Sequence, residues 1–156
     1  QYARIFEDES GLLWLGNVNS GIHYLDPSNQ KLYQLNVSKG ITSAGVFKDN
    51  ANNLWFGTKG KIGIVNAERT SVKFISDESG LNPEAIYFEF NENGKGDVGV
   101  SSFVDGPVSL SLKDNTITKF CPEQGFMGKS MSWTLDLHSR VWIADNATFT
   151  VYDPDI

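Results

Sequence analysis

Short apolar runs alternate with polar turns along the whole chain. The runs are rich in aromatic and β-branched residues, and glycine, asparagine and aspartate dominate the stretches between them, a pattern typical of strands joined by tight turns. No stretch carries the period of an amphipathic helix. The first unit of the pattern predicts four strands, at about Ala3–Glu7, Leu12–Leu15, Gly21–Leu25 and Lys31–Leu35.

The unit then recurs. Three tryptophans mark it, each with an aspartate six residues before it: Asp8 and Trp14, Asp49 and Trp55, Asp136 and Trp142. A weaker copy places Val98 at the tryptophan position and Glu92 at the aspartate position. The steps between the four anchors are 41, 43 and 44 residues. Four short strands repeated at this period are typical of the blades of a β-propeller.

The sequence therefore predicts an all-β fold, a partial β-propeller of about four blades of four-stranded antiparallel sheet. The chain forms a single propeller fragment with blades at about residues 3–41, 42–82, 83–128 and 129–156. The last blade is expected to be incomplete, because the chain stops after the turn at Asp153-Pro154. An open arc exposes an apolar blade face at each end, so we expect contacts with further blades of a larger parent protein, or self-association.

The repeated residues suggest their own structural roles. The tryptophans are expected to pack between adjacent blades, and the small residues two positions later, such as Gly16 and Gly57, let the next blade approach. The acidic residue six positions before each anchor is expected to cap backbone amides of the turn between the first two strands.

Composition and charge then narrow the function. Of the 156 residues, 21% are charged and the net charge is −6, with no basic patch, which argues against nucleic-acid binding. No apolar run is long enough to span a membrane, so this segment is expected to make no membrane contact. One cysteine, Cys121, excludes an internal disulfide and a cysteine-based metal cluster. His23 and His138 lie in no catalytic or metal-binding motif, so we expect no catalytic residues, metal or cofactor.

The repeat resembles a known family. The segment from Asp8 to Gly16, with Gly21-Ile22-His23-Tyr24 after it, is similar to the two-component regulator propeller repeat, and so is Asn53–Thr58. The connector at Gly80–Tyr87 is similar to the one that leads into the next blade of that family. The third unit departs from the pattern around Val98, and the fourth has Ser139 and Ala144 where glycine is usual.

The resemblance implies a function. Such repeats build periplasmic sensor regions of hybrid two-component regulators in Bacteroidetes, which are anchored in the inner membrane. These regions typically detect an oligosaccharide released from glycans, and they signal to a histidine kinase that controls transcription. The segment itself is then not an enzyme. Two alternatives stay open: a fragment of a propeller hydrolase or lyase acting on glycans, and spacer or dimerisation repeats without a ligand.

Candidate ligand-binding residues follow from the loops. In a propeller, the loops entering the first strands share one face with those joining the second and third strands, and loops on a rigid scaffold carry function. Aromatic faces combined with amides and charges suit a small polar ligand. The candidates are Trp133, Tyr87, Lys129, Asp145, Asn146, Asn17 and Lys59. Trp133 falls where the other units have Ile5, Val46 and Glu89, and a core or blade-contact role is its alternative.

Overall fold

A computed structural model describes most of the chain, namely residues 2–93, 96–102, 104–111, 113–114, 116–119, 132–136, 138, 140–144 and 149–153. The strands are β1 (Tyr2–Glu7), β2 (Leu13–Asn17), β3 (Gly21–Asp26), β4 (Lys31–Gln34), β5 (Gly45–Lys48), β6 (Leu54–Thr58), β7 (Lys61–Val65), β8 (Val72–Ile75), β9 (Tyr87–Glu92), β10 (Asp97–Ser102), β11 (Gly106–Ser111), β12 (Ile117–Lys119), β13 (Ser132–Leu135), β14 (Val141–Ala144) and β15 (Phe149–Tyr152). Single 3-10 turns lie at Asn36–Ser38 and Asp77–Ser79.

The strands form four antiparallel sheets, in which each strand pairs with the next one along the chain. The sheets are β1 to β4, β5 to β8, β9 to β12 and the three-stranded β13 to β15. The first strand of each sheet packs on the first two strands of the sheet before it: β5 on β1 and β2, β9 on β5 and β6, β13 on β9 and β10. This arrangement is a partial β-propeller, as the sequence predicts.

Tryptophans on the second strands form the contacts between sheets. Trp55 is fully buried in a cluster that includes Tyr87, Phe90 and Val98 of the third sheet. Trp14 is buried in the same way against Val46 and other residues of the second sheet. A buried tryptophan removes about 150–250 Å² of surface from water, so these rings dominate the interfaces.

The anchoring tryptophans are held by the turn aspartates. The indole N–H donates to Oδ2 of the aspartate six residues earlier, at 2.7 Å for Trp14 and Asp8, 2.7 Å for Trp55 and Asp49, and 2.9 Å for Trp142 and Asp136. The same carboxylates accept backbone N–H groups of the turn, which confirms the predicted capping. The repeated Asp–Trp pair is therefore one hydrogen-bonded unit.

These hydrogen bonds change the acidity of two of the aspartates. Burial alone raises the pKa of the Asp8 and Asp136 carboxyl groups. The indole N–H and the backbone amides outweigh burial in both, together with the Ser10 hydroxyl at Asp8 and the Arg140 guanidinium at Asp136, and hold the pKa below its usual value. Both carboxylates are thus ionised acceptors at neutral pH.

In the third sheet, the observed strand register differs by one residue from the register that the sequence predicts. The turn is closed by Asn93, whose N–H donates to the carbonyl of Asp97 at 3.0 Å and whose Oδ1 accepts the Asp97 N–H at 2.9 Å. Cross-strand pairing agrees, because Asn91 lies opposite Gly99 just as Phe6 lies opposite Trp14. The tryptophan position is therefore Gly99, and the assignment of Val98 and Glu92 as anchors is wrong.

A one-residue slip moves every side chain to the other face of a sheet. Val98 is accordingly the counterpart of Leu54 and Val141, one position before the anchor, and it is fully buried there. Glu92 reaches the neighbouring sheet, where Oε2 accepts the N–H of Asn50 at 2.7 Å. The corrected steps between anchors are 41, 44 and 43 residues.

Trp133 replaces the tryptophan that Gly99 lacks. Its ring lies directly against Gly99, so that a Cβ added at Gly99 would overlap with Cη2 of the indole. Trp133 belongs to β13 and is only 3% exposed. The interface between the third and fourth sheets is therefore filled from the fourth sheet, whereas the first two interfaces are filled from the earlier one.

Candidate functional site

Two sets of loops meet at one end of the sheets, which we call the loop face. It consists of the turns after β2, β6 and β10 and the connectors before β5 and β9. The Ser43 N–H donates to the carbonyl of Asn17 at 3.1 Å, and the Gly60 N–H donates to the carbonyl of Ala85 at 2.7 Å. The expectation that these loops share a face is thus confirmed.

Tyr87 joins a connector to a turn on the loop face. Its ring is fully buried, and its hydroxyl donates to Oδ2 of Asp105 at 2.7 Å while accepting the N–H of Asn82 at 3.0 Å. Nζ of Lys119 lies 3.6 Å from Oδ1 of Asp105. Burial, reinforced by the bond to Asp105, raises the pKa of the Tyr87 hydroxyl. Tyr87 therefore stays a neutral donor that ties the connector to the β10–β11 turn.

Lys59 and Asn17 occupy different environments on the same face. Lys59 forms an ion pair with Glu84 at 2.7 Å, and both side chains are more than half exposed. Both groups are therefore accessible to a ligand. Because exposed pairs of this kind contribute little to stability, a ligand can replace either partner at little cost. Asn17 is buried, and its Oδ1 accepts the N–H of Asn19 at 2.9 Å within the turn.

The other candidates fall in two groups. Trp133 is a buried residue of the sheet interface, which corresponds to the alternative of a core or blade-contact role. Lys129, Asp145 and Asn146 lie outside the described residues. Of the seven candidates, the structure therefore shows Lys59 as an accessible charged group of the loop face.

A further polar group, formed by strand residues next to the loop face, is absent from the sequence-based candidates. Arg4 of β1 and Glu89 of β9 form an ion pair, with Nη2 and Oε1 separated by 2.7 Å, although they are 85 residues apart in sequence. The Ser132 hydroxyl of β13 donates to the same oxygen at 3.4 Å. We call the site formed by Arg4, Glu89, Ser101 and Ser132 the channel mouth, because first strands surround the central channel of a propeller.

The strand register explains why these residues meet. Arg4, Glu89 and Ser132 each lie opposite the residue two positions after the anchor, namely Gly16, Ser101 and Ala144. The second sheet has Gly45 at this level, opposite Gly57. Gly45 presents no side chain there, so Arg4 reaches the third sheet. The corrected register is the signal that could have grouped these residues.

The last sheet exposes an apolar surface, which we call the end face. A cavity of about 230 Å³ lies on it, lined by Ser132, Trp133, Thr134, Trp142, Ala144 and Phe149. Phe149 is 68% exposed, and its ring lies 5.6 Å from that of Trp142. This surface corresponds to the ones that the following sheet covers at Trp14 and Trp55.

The described residues also bear on a metal site and on a membrane-spanning helix. Within the described part of the chain, no three His, Cys, Asp or Glu side chains are placed to hold a metal ion. In that part, likewise, no helix has the length and apolar character that a membrane span requires.

Solved structures share this fold. The extracellular domain of the hybrid two-component system BT4673 from B. thetaiotaomicron matches 99% of this chain with a TM-score of 0.80 and 18% identity. A second structure, described as the extracellular domain of the one-component system BT4673, matches 97% with a TM-score of 0.76 and 13% identity. The likeness is one of fold. The chain spans 23% and 21% of the length of these two domains.

The fold itself is shared more widely. The C-terminal WD40 domain of Sif2 matches 98% of this chain at 10% identity, with a TM-score of 0.62, and the chain spans 46% of it. No protein-family model matches the sequence, and a search of curated proteins finds no match either. These extracellular domains are of the class that the repeat motif resembles, but at this identity the likeness shows the fold alone, and function must be argued from the site.

Proposed function

We propose that this chain is part of the periplasmic sensing region of a hybrid two-component system, and that it contributes to the detection of an oligosaccharide. The observation that carries the proposal is the match over 99% of the chain to an extracellular domain of such a system, together with the repeat motif that resembles the same class. In the parent protein, a histidine kinase across the inner membrane would receive the signal.

The loop face supports this proposal. Hydrogen bonds between turns and connectors fix its backbone, so exposed groups such as Lys59 and Glu84 project from a rigid base. A pre-organised surface loses less entropy on binding than a mobile one does. Lys129, Asp145 and Asn146 are proposed to act on the same face.

Calorimetric titration of the chain with neutral di- to hexasaccharides from plant and host glycans tests the proposal. We expect at least one of them to bind in the micromolar to millimolar range, about −8 to −4 kcal/mol. Binding is expected to change neither the sheet content nor the order of the strands. If no saccharide class produces heat, the spacer alternative is favoured and the sensing proposal fails.

We also propose that the end face binds a further blade. At each of the first two interfaces, a residue on the first strand of the later sheet packs against the tryptophan of the earlier sheet: Val46 against Trp14, and Phe90 against Trp55. Ile5 occupies the same position on β1, where no earlier sheet covers it, and it is 62% exposed. In the parent protein a further blade would occupy the end face, and in the isolated chain the β1 face of a second copy fits it.

Static light scattering of the chain is therefore expected to show a mass that rises with concentration. Phe149→Asp should reduce this association, because it places a charge in the apolar contact while the side chain is already exposed. Phe74→Asp, at an exposed aromatic residue on the outer strand β8, is the matched control. A constant monomer mass at high concentration, or equal effects of both substitutions, contradicts this contact.

A further inference from the structure

The channel mouth contains buried polar atoms without hydrogen-bond partners. The Glu89 side chain is 9% exposed, and its Oε2 has no hydrogen-bond partner among the described residues. Ser101, opposite Glu89 on β10, is fully buried, and its hydroxyl likewise has no partner within the described part of the chain. Buried polar groups are nearly always hydrogen-bonded, so an acceptor and a hydroxyl side by side indicate a group that is bound there.

The site has an open side as well. The Arg4 side chain is 46% exposed. A guanidinium has five N–H donors, and the ion pair with Glu89 leaves Arg4 with donors that a ligand can reach. The channel mouth thus presents donors on its accessible side and a carboxylate acceptor beneath them.

The charges select the class of ligand. Glu89 repels an anion and Arg4 repels a cation, while the pair together is neutral. A hydroxyl group both donates and accepts, so two neighbouring hydroxyls can donate to Glu89 and accept from Arg4 at the same time. Buried polar atoms without a protein partner are commonly bridged by water, and such a ligand would displace or share that water.

We propose that the channel mouth binds one sugar unit of a neutral saccharide through two neighbouring hydroxyl groups, held by Arg4 and Glu89 with Ser101 and Ser132 at the wall. This inference rests on the proposed function and gives it a location. The site joins the first, third and fourth sheets, so an occupying sugar would contact three blades at once.

Calorimetric titration of variants with the saccharide that binds the chain most tightly tests the site. Glu89→Gln keeps the side-chain volume but removes the charged acceptor, and we expect about a tenfold or greater loss of affinity. Ser132→Ala, at an exposed position, should weaken binding by a smaller factor without affecting the fold. Glu9→Gln is the matched control. Glu9 lies in the turn between β1 and β2, at the end of the sheet opposite to the channel mouth, and it pairs with Lys48. This variant should bind within about twofold of the parent.

The outcomes separate the two proposals. Equal affinity of the Glu89→Gln variant and the parent, with circular dichroism showing both folded, overturns the channel mouth as the binding site and leaves the sensing proposal standing. Absence of binding by the parent chain overturns the sensing proposal and this inference together. Tighter binding of the corresponding uronic acid oligosaccharide than of the neutral one overturns the assignment of ligand class.

Discussion

Trp55→Ala is expected to lower the free energy of unfolding by about 3–5 kcal/mol, the range for removing a buried large aromatic side chain. Trp55 is fully buried, and its cluster spans the second and third sheets. The substitution leaves a cavity between two sheets and removes the N–H that Asp49 accepts at 2.7 Å. Urea denaturation followed by far-ultraviolet circular dichroism measures the loss.

Two further substitutions separate the causes of that loss. Trp55→Phe keeps an aromatic ring but leaves the Asp49 carboxylate, which is 1% exposed, without the indole donor, so a loss of about 1–3 kcal/mol is expected. Trp142→Ala makes the same chemical change on the partly exposed end face, and a loss of about 1–2 kcal/mol is expected. Equal losses for Trp55→Ala and Trp142→Ala would contradict the role of Trp55 between sheets.

The first, second and fourth units could be predicted from the sequence because each carries its own Asp–Trp pair. The aspartate marks the turn and the tryptophan marks the second strand, so the pair fixes both the strand positions and their faces. Trp14, Trp55 and Trp142 accordingly lie on β2, β6 and β14. The hydrogen bond within the pair explains why these two residues recur together.

The third unit has neither member of the pair, and its register could not be fixed from the pattern. Phe90 matches Phe6 and Phe47 when Val98 is taken as the anchor, which favours the wrong alignment. Asn93 and Gly99, the true counterparts, resemble any other turn residue and strand glycine. The turn hydrogen bonds of Asn93 and the cross-strand pairing between Asn91 and Gly99 decide between the two registers.

The loop face could be predicted but the channel mouth could not. That two loop sets share a face follows from the order of strands in a blade, which is local information. The contact between Arg4 and Glu89 depends on the distance between the first and third sheets and on the empty position at Gly45. Neither is encoded near Arg4 or Glu89, and the wrong register of the third unit hid their equivalence.

Gly99→Ala is expected to destabilise the protein by about 1–3 kcal/mol, because a methyl group there overlaps with the ring of Trp133. The ring is buried together with Val141 and Ile143, so it cannot move away without disturbing the fourth sheet. Trp133→Ala alone should cost about 3–5 kcal/mol, since it empties the interface between the third and fourth sheets. Urea denaturation measures both values.

The double variant shows whether the two residues share one space. With the indole removed, the methyl group of Gly99→Ala occupies part of the cavity, so the combined loss should be smaller than the sum by about 0.5–3 kcal/mol. Gly99→Ala combined with Trp14→Ala is the control, because Trp14 packs between the first and second sheets. That pair should be additive to within about 0.5 kcal/mol. Additive losses for Gly99→Ala and Trp133→Ala would show that Trp133 does not fill the place of the missing tryptophan.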